Sequence, residues 1–199
     1  MSALLLALDY AAVLIFALTG ALVASRAQLD IVGFAFLACL TAVGGGTLRD
    51  VLLDRNPVFW IAAPSFLAVA AAAAILVFFT AHLLESRYRA LLWLDACALA
   101  VAVTAGAGVA LSLDQPAPIV IIMGMVTGCM GGLMRDVVVG EVPLVLRALS
   151  PTDGEFKYTA PIHGPGTRRL ELGNAPLVAA VQEASTSAFW ALLALFHSS

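Results

Sequence analysis

Arg49-Asp50 and Arg135-Asp136 are adjacent opposite charges, and each pair closely follows glycines at the end of an apolar run, in "GGGTLRD" and "GGLMRD". A charge at the bilayer centre costs at least about 2.5–3.5 kcal/mol on insertion scales, so ionisable residues in such runs mark an ion or substrate path, or a neutralised pair. Two readings stand. In one, each arginine snorkels to the interface and each aspartate sits in a loop. In the other, an internal symmetry brings Arg49 toward Asp136 and Arg135 toward Asp50, neutralising both. Asp9 and Asp95 add negative charge near the starts of two further apolar runs. They suit either a helix first turn, where the dipole favours an acid, or a vestibule that attracts cations.

Other chemistries lack their residues. Cys39, Cys97 and Cys129 lie inside apolar segments without CxxC or Cys/His metal spacing, and read as small packing residues. His82, His163 and His197 are scattered. No nucleophile–base pair, phosphate-binding loop or zinc motif is present in the sequence, so neither an enzyme nor a cofactor, metal or nucleic-acid partner is expected. The methionines Met123, Met125, Met130 and Met134 read as adaptable packing.

The elements that must position these charges follow from composition. The 199 residues are 62% hydrophobic and 12% charged, with mean hydropathy +1.00, whereas soluble domains carry about 25% charged residues. The expectation is an all-α integral membrane protein. Spanning the hydrocarbon takes about 20 apolar residues. Leu4–Ala24, Val58–Phe79 and Leu91–Leu113 suffice, while Ile31–Val43 and Ile119–Met130 fall short unless the segments beyond their glycines also enter the membrane. Leu4–Ala24 lacks a basic start and carries Asp9, so it reads as a retained helix and not a signal peptide.

An internal repeat organises these segments. A shift of 86 positions carries Asp9 to Asp95, Gly20 to Gly106, Thr41 to Thr127, Gly45-Gly46 to Gly131-Gly132, Arg49-Asp50 to Arg135-Asp136 and Pro57 to Pro143. Residues 1–86 and 87–147 are read as two transmembrane repeats. Three crossings in the first repeat oblige the second to enter from the opposite side, which gives two inverted-topology three-helix repeats. Helices are expected at about 4–24, 31–43, 58–79, 91–113 and 117–133. Arg26, Arg87, Arg89 and Arg147 then fall on one face and Arg55 on the other, which makes the first face cytoplasmic and the N-terminus non-cytoplasmic. Trp60 and Trp93 fit interfacial positions. Glycine costs about 1 kcal/mol in a helix relative to alanine, and a break in lipid survives only where protein or a water-filled cavity satisfies the backbone. Gly44, Gly45, Gly46, Gly131 and Gly132 are therefore expected to kink the second and fifth helices around a polar permeation path, with Arg49, Asp50, Arg135 and Asp136 as its charged lining or gate. Gly20 and Gly106, among alanines, offer faces for close helix contact.

The stretch from Phe16 to Trp60, "FALTGALVASRAQLDIVGFAFLACLTAVGGGTLRDVLLDRNPVFW", resembles the first repeat of the bacterial branch of the trimeric intracellular cation (TRIC) channel family, whose domain is also named for glycine transport. "GMVTGCMGGLMRDVVVGEVPLVLR", Gly124 to Arg147, resembles the second. The resemblance implies seven transmembrane helices in a homotrimer of the plasma (inner) membrane, with membrane lipids around it and an ion path in each protomer. The implied activity is passive conduction of monovalent cations, mainly potassium; the alternative is secondary transport of glycine or a similar small amino acid.

The C-terminal quarter departs from that pattern. The repeat predicts an apolar sixth helix at Leu144–Pro165, where the chain reads "LVLRALSPTDGEFKYTAPIHGP". Its charges, prolines and glycines exclude a lipid-facing span. Residues 148–174 are read as a polar segment and 175–199 as a C-terminal or interfacial helix, the atypical end of the chain.

Overall fold

The computed structural model describes residues 3–81 and 87–144, and every regular element among them is a helix: α1 Ala3–Arg26, α2 Ile31–Leu52, α3 Phe59–Ala62, α4 Ser65–Thr80, α5 Arg87–Ser112 and α6 Ala117–Val139. Four stretches are long and apolar enough to cross a membrane: α1, α2, Ala90–Ser112 of α5, and α6. The α4 helix is apolar but shorter. The expected span Val58–Phe79 is divided because Pro64 cannot donate a backbone hydrogen bond and restricts the residue before it. Val58–Phe79 becomes the single turn α3 followed by α4. The sixth-helix region beyond Leu144, the polar segment 148–174 and the helix at 175–199 lie outside the described residues, as does the linker between α4 and α5.

Local chemistry sets the helix ends. Asp30 caps α2 by accepting the Gly33 N–H at 2.8 Å, and α6 begins with Pro118 in its first turn, where a missing N–H is harmless. The turns repeat with the sequence. Gln28 and Asp114, 86 apart, both have left-handed backbone, at φ 56° and 54°. So do Asp54 and Gly140, at 50° and 76°. The closing hydrogen bonds match too: Leu29 N–H to Ala24 carbonyl parallels Gln115 to Ala110, and Arg55 to Asp50 parallels Glu141 to Asp136. The duplication therefore extends to the backbone of loops whose side chains differ.

In each repeat the first two helices form a hairpin. The α1/α2 and α5/α6 hairpins pack on one another, α1 against α5 and α2 against α6, while α4 lies across α1 and α2. Small side chains fill the contacts, with Ala17, Ala21, Ala24, Ala38, Ala98, Ala102 and Ala110 all buried. Bulky apolar residues such as Val32, Phe36, Leu76, Phe79 and Ile122 face outward. That distribution suits lipid, which supplies no drive to hide leucine and rewards close backbone approach instead.

The glycines serve this approach, and the expected break in the second and fifth spanning helices is not observed. Both α2 and α6 continue through Gly44–Gly46 and Gly131–Gly132 as unbroken helix, and include both Arg–Asp pairs. A Cβ on Gly45 would fall on the Thr127 carbonyl oxygen, and one on Gly131 would come within 2.5 Å of the Thr41 carbonyl oxygen. Since Gly45 and Gly131, like Thr41 and Thr127, are repeat equivalents, the two contacts are reciprocal. They mark the point where α2 and α6 cross on the pseudo-two-fold axis. Within each hairpin, Gly20 abuts Thr41 Oγ1 and the Leu37 carbonyl, as Gly106 abuts Thr127 Oγ1 and the Met123 carbonyl. The helix-propensity cost of glycine is accepted here for contact between backbones.

Candidate functional site

Arg49, near the end of α2, is fully buried and held by two carboxylates. Its Nη1 donates to Asp9 Oδ1 on α1 at 3.0 Å, and its Nε donates to Asp50 Oδ1 at 2.8 Å. The second oxygen of Asp50 accepts the Phe59 N–H at 2.8 Å, so the same carboxylate fixes the start of α3. Arg55, partly exposed, reaches Asp50 Oδ1 at 3.4 Å. The guanidinium carbon of Arg49 also lies 5.5 Å from the centroid of the Phe59 ring, within cation–π range.

The second repeat builds the same cluster. Arg135 Nη1 donates to Asp95 Oδ1 at 2.7 Å and Nη2 to Asp95 Oδ2 at 3.4 Å, while its Nε donates to Asp136 Oδ1 at 2.8 Å. Asp136 Oδ2 accepts the Leu144 N–H at 2.8 Å, just as Asp50 holds Phe59. One difference matters. The Asp9 side chain is only 5% exposed, whereas that of Asp95 is 21% exposed. The carboxylate facing the arginine is thus buried in the first cluster and partly exposed in the second.

The expected pairing of Arg49 with Asp136 and of Arg135 with Asp50 is overturned. The crossing contacts, Thr41 with Gly131 and Gly45 with Thr127, put Arg49 level with Met123. Asp136 is then about 20 Å further along α6, at about 1.5 Å per residue. The inverted symmetry carries the two Arg–Asp motifs to opposite ends of the crossing. Each arginine is instead neutralised inside its own repeat, which also takes both out of the snorkelling reading. Asp9 is likewise not a first-turn residue of α1. Asp9 and Asp95 each face an arginine.

A signal for this pairing is present in the sequence. Asp9 precedes the end of α1 by seventeen residues and Arg49 follows the start of α2 by eighteen; Asp95 and Arg135 stand at the same distances from the α5/α6 turn. In an antiparallel hairpin, equal distances from the turn mean equal depth.

Between the first cluster and the crossing lies a cavity of about 20 Å³, lined by Asp9, Phe16, Gly45, Gly46, Phe59 and Thr127 among others. Gly46 packs against the Phe59 ring and Gly44 against the flexible end of Met134, while Gly132 lies beside Asp95. Among the described residues no group of three or more His, Cys, Asp or Glu could hold a metal ion. The arrangement thus offers two buried arginine–aspartate clusters, one toward each end of the fold, joined through a small-residue crossing.

The chain is similar to several known membrane proteins. A UPF0126 membrane protein of Vibrio cholerae is 41% identical over 152 residues, covering 74% of this chain; the chain spans 62% of that relative's length. The UPF0126 inner membrane protein YadS of Escherichia coli is 39% identical over 144 residues, 70% of this chain and 68% of the relative. The crystal structure of the TRIC trimeric intracellular cation channel orthologue from Rhodobacter sphaeroides matches with a TM-score of 0.73 and 36% identity over 97% of both chains. A prokaryotic TRIC channel crystallised in 0.5 M KCl matches with a TM-score of 0.71 and 29% identity over 74% of this chain and 76% of that one. The sequence model of the glycine transporter family covers residues 6–82 and 92–152. With both repeats matched and four apolar helices of spanning length, the chain is a multi-pass membrane protein and belongs to the glycine transporter family.

Proposed function

We propose that this chain conducts monovalent cations, potassium foremost, by passive flow along a polar path inside each protomer of a homotrimer in the inner membrane. The observation that carries this reading is the likeness, over nearly the whole of both chains, to a protein described as a trimeric intracellular cation channel. The charge distribution supports it. In the second cluster Asp95 and Asp136 share Arg135, which makes it negative and favours a cation over an anion, whereas in the first Asp9 and Asp50 are matched by Arg49 and partly exposed Arg55. Gly44, Gly45, Gly46, Gly131 and Gly132 would line or border the route at the crossing of α2 and α6. Arg49, Asp50, Arg135 and Asp136 would set its field, with Asp9 and Asp95 nearest the passing ion.

The name of the matching family favours a second reading, secondary transport of glycine. An aspartate would then take the ammonium group and an arginine the carboxylate. Purified protein in liposomes separates the two. A potassium gradient should generate a membrane potential without labelled glycine uptake, and flux should rise nearly linearly with ion concentration. Saturable glycine uptake without potassium current would assign the chain to transport instead.

A further inference from the structure

The two charge clusters are equivalent in sequence but not in satisfaction. In the second, both oxygens of Asp95 accept from Arg135 and the carboxylate is partly exposed. In the first, Arg49 uses only Nη1 on Asp9, so Asp9 Oδ2 is buried without a hydrogen-bond partner. Arg49 Nη2 is also without a hydrogen-bond partner, but its guanidinium lies over the Phe59 ring, which compensates a cation and would repel an anion. Asp9 is paired with Arg49 through Oδ1 alone, and its Oδ2 has no hydrogen-bond partner.

Counted in charges, Asp9 and Asp50 are matched by Arg49 and by Arg55, which is partly exposed and contacts Asp50; the buried Oδ2 of Asp9 still lacks a hydrogen-bond donor. A desolvated carboxylate oxygen without a donor or cation is costly. Asp9 lines the cavity described above, whose volume of about 20 Å³ admits one particle the size of a water molecule. Its walls bring the Phe16 and Phe59 rings and Thr127. Divalent ions recruit several carboxylates, and among the described residues no group of three or more His, Cys, Asp or Glu is gathered.

We propose that Asp9 Oδ2 is the anchor of a binding site for one small monovalent cation, an alkali-metal ion or a primary ammonium group, in the cavity shared with Phe16, Phe59 and Thr127. Asp95 anchors no equivalent site, because Arg135 occupies both of its oxygens. This deepens the proposed cation path and rests on it for the physiological role of the ion, while binding itself is separately measurable.

The test is thermal unfolding of the purified full chain in detergent, titrated with potassium chloride, glycine or choline chloride at matched ionic strength. The melting temperature should rise saturably with potassium relative to choline, and Asp9→Asn should abolish the rise. Since Asp9→Asn also weakens the hold on Arg49 and could fail to fold, Ala42→Val is the second variant. Ala42 is buried and lines the cavity, so the added methyl groups take up its space while every charged side chain is kept. Loss of the potassium effect in Ala42→Val supports the site. A rise with glycine that Ala42→Val removes supports it with an ammonium group as the occupant. No ligand-specific rise, or a rise retained in Ala42→Val, overturns it. Liposome flux measured in parallel separates the two ideas: potassium flux without ligand-specific stabilisation sinks the site alone, and stabilisation without flux sinks conduction alone.

Discussion

Asp9 and Arg49, forty residues apart on neighbouring helices, meet at 3.0 Å in the buried interior, and Asp95 and Arg135 repeat the contact at 2.7 Å with the same spacing. Removing one partner of a buried pair leaves the other charge uncompensated, at about 3–5 kcal/mol. Asp9→Ala should therefore destabilise strongly, and Asp9→Ala combined with Arg49→Leu should be less damaging than the two single losses added together. Asp95→Ala should cost less than Asp9→Ala, since Asp95 is partly exposed. Reversing both Arg49 and Asp136 should rescue nothing, because they lie at opposite ends of the crossing. Thermal midpoints of the purified variants check each point.

Neighbouring glycines in one motif should respond differently to the same substitution. Gly45→Ala drives a methyl into the Thr127 backbone, whereas Gly44→Ala meets the Met134 sulfur at 2.8 Å and Gly132→Ala meets only ordinary contacts at 3.7 Å. A side-chain end can swing aside; a helix backbone cannot. Gly45→Ala and Gly131→Ala should each cost about 1–3 kcal/mol through overpacking. Gly44→Ala and Gly132→Ala should be nearly neutral or slightly stabilising. Equal losses at all four positions, read by thermal unfolding, would contradict the crossing as the reason for these glycines.

Much of this geometry was legible, and the failures have identifiable causes. The offset of 86 picked out Asp9, Gly20, Thr41, Gly45, Arg49 and their equivalents because those types are scarce in an apolar chain, so coincidence carried information. It could not choose between pairing within a repeat and pairing across repeats, since a duplication preserves both. Depth in the hairpin decides that choice. Glycine propensity points to a break at Gly44–Gly46, yet the helix runs through them because tertiary contact overrides a cost of about 1 kcal/mol per residue. Pro64, in plain view inside the expected span Val58–Phe79, was outweighed there by apolar length. The unpaired oxygen of Asp9 had no sequence signal, because it arises from a small difference in how two equivalent arginines approach their partners.

Asp50 joins the charge cluster to the start of α3, so its loss should be felt locally as well as globally. The Phe59 N–H donates to Asp50 Oδ2, a hydrogen bond to a charged group worth about 1.5–3 kcal/mol. In Asp50→Ala, hydrogen exchange at Phe59–Ala62 should accelerate by roughly 10–100-fold, as each 1.4 kcal/mol is about tenfold. Exchange in the central turns of α1 should change less. Uniform acceleration along the chain would instead show that Asp50 acts only on global stability.

Orientation supplies the last prediction, since the inverted repeat fixes the two hairpin turns on opposite faces whichever way the chain inserts. α1 and α5 each run from one face to the other, and the repeat inverts their direction, so Gln28 and Gln115 emerge on different sides. The arginine distribution puts Arg26 and the start of α5 on the cytoplasmic side. In a background with Cys39, Cys97 and Cys129 replaced by alanine, Gln115→Cys should react with a membrane-impermeant maleimide in intact spheroplasts. Gln28→Cys should react only after lysis. Both substitutions fall in exposed or half-buried turns, so folding is not at stake. The reverse pattern would keep the inverted repeat and overturn the assigned direction. Labelling of both from outside would contradict the inversion itself, because two turns on one face require an even number of crossings between them, whereas an inverted repeat demands an odd one.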